Sequence, residues 1–175
     1  MEISTIQVKE LRDKSGAGIM ECRTALVKHE GDFEKALETL KKQSINKIEK
    51  RSQRTVGQGS VTTYIHTGSK IGAMVELNCE TDFVARTDIF KELAHNIAMQ
   101  IAAQEPICIS QEKMPKDTEL TPEVACLLLQ PFIKSPELTI QDLINDAMAK
   151  TGENIKVTRF VRFEIGQAEC RTAGI

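Results

Sequence analysis

The side chains with the clearest chemical potential are concentrated around residue 80. Cys79 stands at the end of a predicted strand and just before a predicted helix, where the helix dipole could lower the pKa of its thiol and activate it as a nucleophile. No histidine is close in sequence to act as its base, so a buried thiol in a strand is the favoured interpretation. Asp82 likewise has no evident carboxylate partner for acid–base catalysis.

The sequence predicts neither a metal site nor a cofactor site. His29, His66 and His95 have no metal-ligand spacing with one another or with a cysteine. Residues 16–18 and 57–59 are Gly-x-Gly pieces that do not complete a nucleotide-binding loop, and a turn and a linker explain them better. No GxSxG, HExxH or P-loop pattern is present. We therefore expect a protein that is not an enzyme and that has no cofactor.

The most informative stretch is Thr81-Asp82-Phe83-Val84, at the end of the predicted strand. A carboxylate and a large aromatic side chain are adjacent there, so they point in different directions on either a strand or a helix. An exposed aromatic side chain at such a corner can anchor a protein interface. The local pattern alone favours another interpretation, because Phe83 and Phe90 are seven residues apart and could line the core face of one helix.

Composition excludes several classes of protein. The cysteines are odd in number and form no CxxC pair, so no disulfide framework is predicted and a reducing compartment is favoured. No apolar stretch reaches 18 residues, and no basic start leads into an apolar run, so neither a membrane span nor a secretion signal is predicted. Trp is absent and there is one Tyr, which disfavours a base-stacking platform for RNA. The cysteines are Cys22, Cys79, Cys108, Cys126 and Cys170.

Charge is distributed unevenly along the chain. Residues 1–54 carry 12 basic and 9 acidic side chains, whereas residues 55–175 carry 11 and 16. The basic excess lies in one short run, which is opposed only by Glu49 and which could bind RNA or could simply be a solvated helix face. The basic residues of this run are Lys41, Lys42, Lys47, Lys50, Arg51 and Arg54.

The first 54 residues predict a compact three-helix bundle. Ser4 followed by Gln7 is a capping box that begins the first helix, and Asp32 caps the third. Apolar side chains recur at helical spacing in all three segments. These are Val8 and Leu11, then Cys22, Ala25 and Leu26, then Phe33, Ala36, Leu37 and Leu40.

The remaining residues predict a mixed domain. Residues 61–65 and 71–77 form a hairpin, and a long helix capped near Thr87 or Asp88 follows the corner. A possible short strand lies at residues 107–109, and Thr139 caps a second helix that Gly152 ends. The last predicted strand covers residues 155–165, with a break in its alternation at residues 159–160 that predicts partial cover, or a partner, on both faces. Its predicted apolar face is Ile155, Val157, Val161, Phe163 and Ile165.

The predicted fold class is therefore α+β. An N-terminal helical domain with a basic connector covers residues 1–54, and an α+β core with a small antiparallel sheet and packed helices covers residues 55–175.

Three segments together resemble a known family. The first runs from Val8 through the Gly-Ala-Gly turn to Leu26, the second is Val75 to Ala85, and the third comprises Gly152-Glu153-Asn154-Ile155 and residues 159–163. They are similar to the ubiquitin-associated-like domain, the core motif and the final strand of the elongation factor Ts family. The resemblance covers nearly the whole chain.

This resemblance implies a guanine-nucleotide exchange factor that binds elongation factor Tu with GDP and promotes GDP release. It implies that the stretch Thr81, Asp82, Phe83 and Val84 contacts the GTPase and dislocates its Mg²⁺ and phosphate-binding elements. It also implies that Arg12, Ile19 and Met20 contact the GTP-binding domain of the partner. The alternative for Ile19 and Met20 is that they cover the core of the bundle.

The resemblance is to the short form of the family, with one core and a possible homodimer. Residues 111–125 are shorter than the corresponding segment of family members. The resemblance implies the cytoplasm of a bacterium, with a plastid as the alternative. The lack of apolar stretches predicts no membrane association, and the acidic second domain and scarce aromatic residues predict no direct nucleic-acid binding.

Two other functions stay open at this point. One is an RNA-binding module that uses the basic run, and the other is a generic ubiquitin-associated-like adaptor whose second domain is only a scaffold.

Overall fold

The computed structural model describes residues 3–167 and 171–174, apart from the side chains of residues 45 and 171. Cys170, which the sequence analysis counted among the thiols, lies outside the described residues. The chain forms two compact units, Met1–Gln53 and Arg54–Ile175.

The first unit is a three-helix bundle. Its helices are α1 (Thr5–Ser15), α2 (Ile19–Lys28) and α3 (Phe33–Ser52). The predicted capping box is present, with the Ser4 side chain accepting from the Gln7 N–H and the Gln7 side chain accepting from the Ser4 N–H. Gly16 ends α1 in the left-handed region at φ 67°, which a residue with a Cβ adopts at a cost. The buried core is Val8, Leu11, Cys22, Ala25, Leu26, Ala36 and Leu40.

The second unit contains the remaining elements, all within the described residues. Its strands are β1 (Gln58–Ile65), β2 (Ile71–Cys79), β3 (Pro131–Phe132), β4 (Ser135–Thr139), β5 (Ile155–Glu164) and β6 (Arg171–Ala173). Its helices are α4 (Asp82–Ala85), α5 (Asp88–Gln104), α6 (Pro122–Ala125) and α7 (Ile140–Thr151), with two short 3₁₀ turns at Gln111–Lys113 and Leu127–Leu129. The predicted α+β class is confirmed, with a helical bundle at the N-terminus of the chain.

The main sheet is antiparallel and has the order β1-β2-β5-β6 in the described part of the chain. The hairpin of β1 and β2 is confirmed, and α5 packs against both of these strands. The inward face of α5 is buried as its helical spacing predicts. These residues are Phe90, Leu93, Ala94, Ile97, Ala98 and Ile101.

Strand β5 contains a bulge, which makes one sequence prediction wrong. Glu76 pairs with Arg159 and Leu77 pairs with Val157, so Thr158 is the extra residue between them. Because side chains alternate with a period of two, the extra residue exchanges the faces of everything after it. Val161, Phe163 and Ile165 therefore do not continue the buried face of Ile155 and Val157. Phe160 and Arg162 occupy that face instead.

Arg162, which the predicted alternation placed on the polar face, has only 2% of its surface exposed. Its guanidinium donates to the Ala102 carbonyl at 3.1 Å and contacts Glu105 at 2.9 Å and Glu164 at 2.8 Å. These ion pairs compensate the cost of placing a cation between the sheet and α5.

Further strand predictions also differ from the structure. The strand at residues 155–165 is not the last one, because β6 follows and pairs with it. The possible strand at residues 107–109 is reduced to a single bridge between Cys108 and Cys126. The small sheet of β3 and β4 was not predicted, since its strands are short and lack alternation.

Candidate functional site

The corner formed by residues 79–87 joins the sheet to α5 through two threonine caps. The Thr81 hydroxyl accepts from the Val84 N–H at 3.4 Å and begins the single turn of α4. The Thr87 hydroxyl accepts from the Phe90 N–H at 3.3 Å and begins α5, while donating to the Val84 carbonyl at 2.8 Å. Each threonine hydroxyl accepts from a first-turn backbone N–H that has no partner within its own helix. The two caps therefore let two helices begin within seven residues of one another.

Phe83 is the most exposed large apolar side chain of the corner, with 78% of its surface accessible. Phe90, seven residues later, is fully buried. The two side chains do not share a face, because a new helix begins at Thr87 between them and resets the helical phase. The local prediction of a core phenylalanine is therefore wrong for Phe83, and the implication of the resemblance agrees with its exposure.

Asp82 lies beside Phe83 and faces solvent in part. Its carboxylate pairs with Arg86 at 2.8 Å, one helical turn later. Val84 is buried beneath the turn and fixes α4 to the core. The structure thus presents a carboxylate and an aromatic ring side by side on a short helix whose other side is packed.

Cys79 is buried at the base of the corner and donates to the Thr81 carbonyl at 3.1 Å. Burial, together with the negative charge of Glu153, raises the pKa of this thiol above its ordinary value. The thiol is therefore held protonated at neutral pH, and the nucleophile interpretation of Cys79 is not supported.

A second set of exposed apolar side chains lies in the first unit, where α2 begins. Ile19 and Met20 are 55% and 68% exposed, so they do not cover the core of the bundle. Arg12 is exposed in the last turn of α1, and its carbonyl accepts from the N–H of the helix-ending Gly16. Glu21, in the first turn of α2, pairs with Lys47 of α3, which holds its pKa below the ordinary value.

Among residues 3–167 and 171–174, no cluster of three or more His, Cys, Asp or Glu side chains could hold a metal ion. In the same part of the chain, no helix is both long and apolar enough to cross a membrane.

Comparison with known proteins shows which family this chain belongs to. The family model described as elongation factor TS matches residues 4–123. The chain belongs to the elongation factor Ts family. It is therefore a translation elongation factor with a nucleotide-exchange function, and it takes part in protein biosynthesis.

Relatives in the elongation factor Ts family match almost end to end. The elongation factor Ts of Thermodesulfovibrio yellowstonii is 46% identical, with 97% of this chain and 99% of the relative covered. That of Fervidobacterium nodosum is 44% identical, with 95% and 100% covered, and that of Thermotoga sp. (strain RQ2) is 42% identical, with 95% and 98% covered.

The lengths of these alignments bear on the predicted shortening of residues 111–125. The alignment with the Fervidobacterium protein runs over 197 residues, more than the 175 residues of this chain, so the relative has internal residues with no counterpart here. In the structure, residues 111–124 are mainly exposed and contain only a 3₁₀ turn and the start of α6.

One side chain at the corner was not predicted to have a role. Glu153 belongs to the third segment that resembles the family, and its carboxylate accepts from the backbone N–H groups of Glu80 and Thr81. Its signal was positional, because it follows the helix-ending Gly152 and precedes the strand that pairs with β2.

Proposed function

We propose that this protein binds elongation factor Tu with GDP and accelerates GDP release, and that the corner at residues 81–84 disturbs the Mg²⁺ and phosphate site of the GTPase. The observation that carries the proposal is the 78% exposure of Phe83 on a helix that is capped by Thr81 and anchored by buried Val84. A phenylalanine left in water forgoes about 1.5–3 kcal/mol of burial free energy, which a partner surface can recover.

The roles of the two exposed side chains follow from their chemistry. Phe83 is a stiff apolar group that can enter a gap between elements of the partner, as aromatic interface residues do. Asp82 brings a negative charge close to a site where Mg²⁺ requires near-octahedral oxygen ligands and where phosphates are held by positive groups. A small displacement of these ligands weakens the hold on the nucleotide.

The coupling between factor and nucleotide is reciprocal. Whatever GDP affinity the bound factor removes, bound GDP removes equally from the affinity for the factor. Incoming GTP then restores the site and releases the factor. The factor consequently changes the rate of exchange and leaves the equilibrium between the free species unchanged.

We further propose that Arg12, Ile19 and Met20 contact the GTP-binding domain of elongation factor Tu. Their support is the exposure of all three side chains at one end of the first unit, where Gly16 and Gly18 flank the turn that precedes α2. Exposed apolar side chains and arginine are residue types that interfaces use as anchors.

The test is the release of labelled GDP from elongation factor Tu. Wild-type chain at micromolar concentration is expected to accelerate release, and Phe83→Ala is expected to lose most of that acceleration. Leu120→Ala is the control, because Leu120 is an exposed apolar residue of the same unit that lies outside the corner. Release that wild-type chain leaves unchanged would overturn the proposed function.

The alternative RNA-binding function has less support from the structure. At least three basic side chains in residues 41–54 are already in ion pairs: Lys42 with Glu38, Lys47 with Glu21, and Arg54 with Glu80. These pairs reduce the positive charge that the run offers to phosphates.

We also propose a homodimer that forms through the outer face of the main sheet. The face opposite α5 exposes Val61, Ile65, Met74 and Phe163, with Ile165 just beyond the end of β5. Large exposed apolar patches mark association surfaces. Two charged residues of this face, Glu76 and Arg159, form an ion pair at 2.6 Å, and Lys156 lies on the same face where β5 begins.

Sedimentation of the full chain tests the homodimer. Wild-type chain is expected to sediment as a dimer, and Phe163→Glu as a monomer, because a carboxylate cannot be buried in that interface without a partner. Val27→Glu, which alters an exposed apolar residue of the other unit, is the matched control. Monomeric wild-type chain at high micromolar concentration would exclude this dimer.

For localisation we propose the bacterial cytoplasm, where a translation factor meets its GTPase, with a plastid as the alternative. The family relatives compared above are bacterial. Immunodetection in fractionated source cells tests this, and recovery of the protein outside the ribosome-containing fraction would contradict it.

A further inference from the structure

The carboxylate of Glu153 gathers three donors from the two residues that precede α4. Its Oε2 accepts from the Glu80 N–H at 3.1 Å and from the Thr81 N–H at 3.0 Å. Its Oε1 accepts from the Thr81 hydroxyl at 2.6 Å. Hydrogen bonds to an ionised carboxylate are shorter and stronger than neutral ones, so this group is a firm attachment point for the chain between β2 and α4.

Thr81 connects the Glu153 carboxylate to the helix that carries the exposed side chains. Its hydroxyl donates to Glu153 and at the same time accepts from the Val84 N–H as the N-cap of α4. Donation to Glu153 therefore fixes the rotamer that the cap requires. Asp82 and Phe83 occupy the first two positions of the helix that this cap begins.

A second carboxylate, that of Glu80, contacts the backbone next to Glu153. Glu80 accepts from the Asn154 N–H at 2.7 Å and from Arg54 at 3.3 Å, while the Asn154 amide donates to the Arg54 carbonyl at 2.7 Å. Each of the two chain segments thus places its glutamate on the backbone of the other. We call this reciprocal pair of contacts the Glu80–Glu153 clasp.

The clasp connects elements that are far apart in sequence. Glu153 is half-buried and lies between the helix-ending Gly152 and strand β5, whereas the corner follows β2. Because β2 and β5 are paired along their length, the clasp fastens the corner to the central pair of the sheet.

We propose that Glu153 is a positioning residue for nucleotide exchange, which holds residues 80–84 in place so that Phe83 and Asp82 displace the partner and are not themselves displaced. The inference rests on the proposed function and adds to it the residue that makes the corner stiff. Preorganised contact groups lose less free energy to local rearrangement than mobile ones. Because Arg12, Ile19 and Met20 supply separate contacts in the proposed complex, the loss of Glu153 should affect the exchange step more than binding.

The experiment measures GDP release from elongation factor Tu over a range of concentrations of the full chain. It gives the maximal release rate and the half-saturating concentration separately. The variants are Glu153→Ala and Glu153→Gln, with Phe83→Ala as the reference for loss of the corner. Asp146→Ala is the matched control, because it removes a carboxylate of α7 whose ion pair with Lys150 lies at the surface.

Glu153→Ala is expected to lower the maximal rate about tenfold while the half-saturating concentration changes less than about twofold, because the contact surface remains and its support is lost. Glu153→Gln should recover most of the rate, since its amide oxygen can still accept both backbone N–H groups. Asp146→Ala should match wild type. A wild-type maximal rate for Glu153→Ala, or a loss that Glu153→Gln shares in full, would overturn the positioning role.

Failure of the proposed function has a different signature. In that case wild-type chain does not accelerate release, or Phe83→Ala is as active as wild type, and the positioning role falls with it.

A second pair of variants covers the case in which Glu153→Ala does not fold. Thr81→Val removes the hydroxyl that joins Glu153 to the cap and nearly preserves the shape, whereas Thr81→Ser keeps the hydroxyl. The valine variant should have a lower maximal rate than the serine variant when both are assayed at a temperature at which they remain folded. Equal rates for the two would overturn the relay through Thr81.

Discussion

The corner at residues 79–87 and the start of α2 both expose apolar side chains, but they are supported in different ways. The corner has two threonine caps, a buried Val84 and the Glu80–Glu153 clasp. The start of α2 has flanking glycines, and the one ion pair described for its first turn joins Glu21 to Lys47 at the surface. We propose on this basis that the corner displaces elements of the partner and that the start of α2 supplies binding affinity.

The largest expected effect is that of Phe83→Ala on exchange. We expect the maximal GDP-release rate to fall about a hundredfold, the loss of roughly 2.7 kcal/mol of differential binding. Because Phe83 is exposed, its removal should change the free energy of unfolding by less than about 0.5 kcal/mol. Phe90→Ala is the contrast, since truncating this buried ring should cost about 3–5 kcal/mol of stability. Urea denaturation measures both, and a destabilised Phe83→Ala would contradict the comparison.

The second effect concerns affinity at the start of α2. Replacing Ile19 and Met20 together with alanine should raise the half-saturating concentration of the factor about tenfold, since two anchoring side chains lose their contacts. The maximal release rate should stay at the wild-type level. A fall in that rate with unchanged half-saturation would show that the two regions do not divide the work as described.

A third effect uses Cys79 as a reporter inside the corner. Burial and the charge of Glu153 raise its pKa, so its alkylation at pH 8 should be slow in the folded chain. Glu153→Ala removes one of these causes and loosens the clasp, so alkylation of Cys79 should become several-fold faster. Mass spectrometry of the peptide that contains Cys79 reads the rate. Cys22, buried in the other unit, should react equally slowly in both proteins.

The smallest effect is that of the Glu21–Lys47 pair. Lys47, through its hydrogen bond, lowers the pKa of the Glu21 carboxyl in the folded state. The pair therefore stabilises the fold above the unfolded pKa of Glu21, and this contribution is lost as the pH falls through the lowered folded value. Both side chains are a little under half exposed, at 46% for Lys47 and 43% for Glu21, so solvent screens the pair and the contribution should be under about 1 kcal/mol. NMR titration should show the Glu21 pKa return toward its ordinary value in Lys47→Met, and an unchanged pKa would exclude the pair as its cause.

Local patterns predicted the elements whose stability is local. The stripes of α1, α2, α3 and α5, the capping box at Ser4 and the hairpin of β1 and β2 all follow from spacing within one segment. Phe83 shows the limit of that reasoning. Its spacing from Phe90 has helical meaning only within one helix, and the cap at Thr87 ends that continuity.

What the sequence could not predict depends on contacts between distant residues. The clasp joins residues more than 70 positions apart, and neither glutamate is unusual in its own segment. The burial of Arg162 depends on the bulge and on Glu105, which lies at the end of α5. The family resemblance carried the expectation for residues 81–84, because it contains information about a partner that the local pattern lacks.

The bulge at Thr158 accommodates one extra residue in β5, and it decides which of the later side chains of this strand face the core. Before it, Ile155 and Val157 face the core, and after it Phe160 continues that face while Phe163 faces solvent. A chain that lacked Thr158 would pair with β2 without a bulge, because Val157 and Arg159 would then follow one another opposite Leu77 and Glu76. Arg162 would stay inward and Phe163 outward. Such a deletion should therefore leave thermal unfolding cooperative, as should a deletion of similar size in residues 111–120.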